Sequence, residues 1–183
     1  MACSPCRRLP PVGDRMTGPG TGVVPREEAF GFAQRRSWVF SAWWYPAVLA
    51  ASGAVYAGLA AVLGQSPETG IVLALLGTVL AALGWAVTAW PRFTRKPPKP
   101  AADIPRVEQG IRITPLVIRT ILIVSLVGLG ALVLFTPKGG SPEVLPLLGM
   151  LVIWPLGFAA GLAYTRRLML DSAGLYARWL ERR

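Results

Sequence analysis

Cys3 and Cys6 form a CxxC beside Arg7 and Arg8, the one cysteine pair the chain owns. Such a pair closes a tetrahedral zinc site only with two further thiolate or imidazole ligands. The sequence has no other cysteine and no histidine, so the CxxC reads as part of a plain tail. The absence of histidine also removes imidazole haem ligation, Ser-His and Cys-His nucleophile pairs and His proton relays. The chain is 53% hydrophobic and 15% charged, and its long apolar runs contain no Asp or Glu. Proton-coupled antiport by a small four-span carrier relies on an embedded carboxylate, and metal-dependent phosphatidyl-alcohol transfer relies on clustered aspartates. Neither set is present, so the chain reads as noncatalytic, with no metal and no cofactor.

The elements that remain are apolar runs of membrane length. Residues 38–63 include no charged side chain, and 26 residues at about 1.5 Å each exceed the roughly 30 Å of bilayer hydrocarbon. Residues 70–90 and 144–164 form two more such runs. A further run at 120–135 reaches full length by taking in 115–119, giving a span at about 115–136 with Arg119 near its end. The expected fold is therefore all-α: an integral membrane protein with four transmembrane helices in two hairpins. Around them lie a disordered basic tail at 1–37, a polar loop at 91–114 and an amphipathic juxtamembrane helix within 165–183.

Orientation follows from the basic residues, because Lys and Arg of short loops stay on the cytoplasmic side. Of the 19, all but Lys138 fall in the N-terminal tail, in the stretch from Arg92 to Arg119, or after Tyr164. Both termini are expected inside. The bias toward Arg over Lys, with abundant Ala, Gly, Pro and Val, is the composition a GC-rich bacterial genome encodes, and the expected location is the cytoplasmic (inner) membrane of a bacterium. Trp38, Trp43, Trp44, Tyr45, Trp90 and Tyr164 then make an inner aromatic belt.

Both short external turns contain Ser-Pro-Glu, at 66–68 and 141–143, which is helix-start chemistry. The echo is compatible with a duplicated hairpin and equally with independent capping. Lipid gives helices no hydrophobic reason to associate, so small residues mark the packing faces. The candidates are Gly53 and Ala57 in the first span, Gly77 and Gly84 in the second, and Gly157 and Gly161 in the fourth. They serve either packing within the four helices or docking of another protein. Pro155 is expected to kink the fourth span by freeing the Leu151 carbonyl.

The segment 92–114 carries a net charge of +4 and four prolines, and reads as a nonhelical strip against anionic phospholipid. The membrane-surface contacts expected are Arg92, Arg95, Lys96 and Lys99, with Arg166 and Arg167 after the fourth span. Nothing in the sequence resembles a nucleic-acid-binding module. Leu168, Leu175, Tyr176, Trp179 and Leu180 recur at helical spacing, and lie in the inner interface with Trp179 and its arginines as anchors. These surfaces point to an accessory, assembly or regulatory subunit that associates with a membrane-protein partner or with a second copy. A small oligomeric transporter, flippase or pore is the alternative.

Overall fold

The computed structural model describes residues 25–89, 99–135 and 144–182. Within them five helices follow one another: α1 (Arg26–Val62), α2 (Glu68–Ala89), α3 (Ile104–Phe135), α4 (Val144–Leu170) and α5 (Ser172–Glu181). The first four are long and apolar enough to cross a membrane.

The boundaries differ from the sequence expectation at three places, each for a physical reason. The first helix begins at Arg26, twelve residues before 38, so the end of the expected tail is ordered helix. Its own apolar stripe explains this, since Ala29, Phe30 and Ala33 are buried, and Glu27 and Glu28 suit the positive end of the helix dipole. The third helix begins at Ile104 rather than 115, taking nearly the last half of the expected loop. Asp103 accepts a hydrogen bond from the Arg106 amide (3.3 Å), and Pro105 sits in the first turn, where its missing N–H costs nothing. The fourth helix continues past Tyr164 to Leu170.

The α1–α2 turn is closed by glycine geometry. Gly64 has φ +71°, its amide donates to the Ala61 carbonyl (3.2 Å), and the Gln65 amide donates to that of Ala60 (2.8 Å). This pair of bonds ends a helix at a left-handed residue, which a side chain disfavours. Gly64→Ala is expected to lower stability by about 1 kcal/mol, measured as a shift of the thermal midpoint in detergent. The next turn does not use the Ser66 cap that the sequence suggests: the Ile71 amide donates to the Pro67 carbonyl (3.0 Å), which makes Pro67 the residue before the helix.

Helix α1 is the hub. It touches α2, α4 and α5, while α3 lies mainly against α4 and α2 meets no described helix but α1. The spans thus stand in a row, α2–α1–α4–α3. Gly53 packs beside Gly70, Ala50 beside Gly77 and Ala42 beside Gly84, so α2 runs antiparallel to α1. Gly149 faces Val55 and Leu59, Gly157 faces Val48 and Gly161 faces Trp44, so α4 is antiparallel to α1 too.

Candidate functional site

Every small residue singled out in the sequence lies on a contact within this chain. A Cβ on Gly53 would stand 2.5 Å from the Ala74 amide nitrogen, and one on Gly70 2.5 Å from that of Ala57. On Gly77 it would meet Ala50, and 2.7 Å away the Pro46 carbonyl oxygen. On Gly84 it would strike the Ala42 carbonyl. That carbonyl is the one Pro46 deprives of its helical partner four residues on, and only a glycine lets the facing backbone come this close to it. Gly157 and Gly161 serve the other side of α1, against the side chains of Val48 and Trp44.

Several polar groups among these apolar helices are paired. Trp44 donates its indole N–H to the Gly157 carbonyl (3.0 Å). Trp154 donates to the Ser52 hydroxyl (3.0 Å), which in turn donates to the Leu49 carbonyl (2.8 Å). Thr78 and Ser125 donate to carbonyls of their own helices, Ala74 and Ile121. The expected aromatic belt therefore divides: Trp44 holds α1 to α4, whereas Trp38 is 71% exposed. Trp90 lies outside the described residues.

The basic residues divide as well. Arg92, Arg95 and Lys96 lie outside the described residues, as does the Ser-Pro-Glu at 141–143. Lys99 is exposed, and its backbone carbonyl packs on Gly31. Arg167 is exposed. Arg166 instead points inward, its Nε donating to the Ile111 carbonyl (3.2 Å). Pro115 lies within α3 and removes the N–H that would have bonded Ile111. Arg166 replaces that donor from the neighbouring helix, a role invisible in a sequence where the two residues stand far apart.

Beyond this level the chain forms a packed helical layer. The Ala101 amide donates to the Glu27 carbonyl (2.9 Å), and Arg26 pairs with Glu108. Helix α5 departs from α4 at Asp171, whose ψ of 21° turns the chain while the helical bonds on either side persist. Its apolar face meets α1 rather than standing free. Tyr176, 6% exposed, donates its hydroxyl to Glu28 Oε2 (2.5 Å). Phe32 lies against both Tyr176 (5.9 Å between ring centroids) and Trp179 (5.6 Å). Phe32→Ala is expected to loosen α5 by about 1–2 kcal/mol, seen as faster hydrogen exchange of α5 amides with α2 unchanged.

Two concave regions stand out among the described residues. One is a wholly hydrocarbon-like groove of about 560 Å³ between α3 and α4, bordered by Ser125, Gly128, Trp154 and Pro155. The other is a basic cleft between α1 and α5, lined by Phe32, Arg36, Leu175, Arg178, Trp179 and Arg182. Among the described residues no three His, Cys, Asp or Glu side chains converge as metal ligands would.

Arg119, expected near the end of its span, stands within the 32-residue α3 at the head of the uncharged run 120–135. It is exposed and stands seven residues beyond Arg112, or about 10 Å further along the helix. Its side chain makes no hydrogen bond or ion pair among the described residues.

Comparison with known proteins gives no match: no family model, no curated protein and no solved structure is similar to this chain.

Proposed function

We propose that this chain is a noncatalytic subunit of a bacterial cytoplasmic membrane that associates with another membrane protein through the outer face of α3. Both termini and the arginine-rich ends of the helices lie in the cytoplasm on this reading, in line with the positive-inside rule, and the four spans pair as two hairpins.

Arg119 is the observation that carries it. In an α-helix it shares a face with Leu116, Ile123 and Leu126, all strongly exposed, and no part of the apolar stretch of α3 is buried within the chain. A cation on a lipid-facing stripe at the edge of an apolar run carries a cost unless it snorkels or finds a carboxylate. The chain has no Asp or Glu between 109 and 142 or between 144 and 170. A carboxylate on a partner's helix would meet the need. The small-residue faces support the same division of labour, since they are occupied by the chain's own helices and leave α3 to a partner.

Gentle extraction followed by native mass spectrometry tests this. A stoichiometric complex with a different membrane protein, lost in Arg119→Leu while the chain stays folded, is the expected result. Homo-oligomers alone would contradict it. They would favour the second reading, a small oligomeric transporter or flippase, for which the α3–α4 groove beside Pro155 would be the place to look.

A further inference from the structure

We infer that the cleft between α1 and α5 is a binding site for the phosphate of an anionic phospholipid headgroup. This is separate from the partner reading, since it uses α1 and α5 and no residue of α3.

The cleft encloses about 280 Å³ between two helices that sequence order keeps far apart. Arg36 comes from α1, and Arg178 and Arg182 come from successive turns of α5. The acidic groups of the same two helices stand outside its lining. Glu28 accepts the Tyr176 hydroxyl, and Asp171 pairs with Arg178 (2.6 Å). The side chains of Arg36 and Arg182 make no hydrogen bond or ion pair among the described residues. Three guanidinium groups line the cleft and no carboxylate does, and guanidinium is the group whose planar fork suits phosphate oxygens.

The walls argue for a lipid rather than a free anion. Phe32, Leu175 and Trp179 line the same cleft, and Trp179 is an amphipathic ring suited to the bilayer interface. The depth agrees. Phe40 and Tyr164 touch, with ring centroids 4.3 Å apart, which sets Arg36 about one turn past the level of Tyr164 and beside that of Arg167. That is the level at which a phosphate lies when the spans fill the hydrocarbon. The site therefore offers basic groups to the phosphate and apolar walls to the glycerol and first methylenes.

Native mass spectrometry of the full chain in detergent, titrated with phosphatidylglycerol, phosphatidylcholine or glycerol 3-phosphate, tests the assignment. One phosphatidylglycerol per chain should be retained with at least tenfold preference over phosphatidylcholine. Arg36→Gln with Arg182→Gln should abolish that preference, and Arg36→Lys with Arg182→Lys should weaken binding about threefold. Arg112→Gln, on an exposed face of α3, should leave it intact. Hydrogen exchange of α5 in each variant reports whether α5 is still docked, so loss of binding with a docked α5 is loss of the site. Equal retention by the double Gln variant would overturn the assignment. Binding of glycerol 3-phosphate as tight as that of the lipid would overturn the lipid as its source.

Discussion

Gly77→Leu separates α2 from α1 and lowers the stability of the folded chain by at least about 3 kcal/mol, the upper part of the range for overpacking. The size follows from what the new side chain meets. Around Gly77 the obstacles are the backbone of Ala50 and Pro46, which cannot rotate aside, and the same approach recurs one heptad away at Gly70 and Gly84. Gly157→Ala should cost less, because its neighbour is the Val48 side chain, which can adjust. Gly58 and Gly130 face open space, and leucine at either should change stability by less than about 0.5 kcal/mol. Unfolding midpoints in mixed detergent micelles rank the four variants, and a Gly77→Leu no less stable than Gly58→Leu would rule out a close α1–α2 seam.

The second large effect concerns the carbonyl that Pro115 leaves open. Arg166→Met removes the side-chain donor to Ile111 (3.2 Å), and a half-buried carbonyl left without it costs about 1 kcal/mol or more. Pro115→Ala restores a helical N–H to the same oxygen. The two changes should therefore be coupled: Arg166→Met is costly in the native chain and nearly neutral when combined with Pro115→Ala, an interaction energy of roughly 1–2 kcal/mol. Additive effects in that double-mutant cycle would mean that Arg166 acts through something other than the freed carbonyl.

Much of the fold was legible in the sequence because lipid solvation leaves a coarse signature. Uninterrupted apolar runs mark the spans, and glycines recurring every seven residues in α2 mark the surface that meets α1. The differences lie where a helix continues beyond its apolar run. Ala29, Phe30 and Ala33 form too short a stripe to stand out against the charges around them, and Asp103 with Pro105 reads as loop punctuation although it is a helix start. The candidate sites are harder still. Glycines declare a close approach but not the partner, which proves to be this chain's own α1. Arg36, Arg178 and Arg182 meet only because α5 folds back along α1, a contact made by Phe32, Tyr176 and Trp179 across a sequence distance no local pattern encodes.

All of these readings require that the spans carry the arginine-rich ends of the helices to one side of a bilayer and the α1–α2 turn to the other. A membrane-impermeant thiol reagent tests this on intact cells producing chains with Cys3 and Cys6 changed to serine and one new cysteine at Ser66, Ala102 or Ala173. The Ser66→Cys chain should be labelled from outside, and the Ala102→Cys and Ala173→Cys chains only after the membrane is opened. Labelling of Ala102→Cys on intact cells, or equal labelling of all three, would contradict that topology.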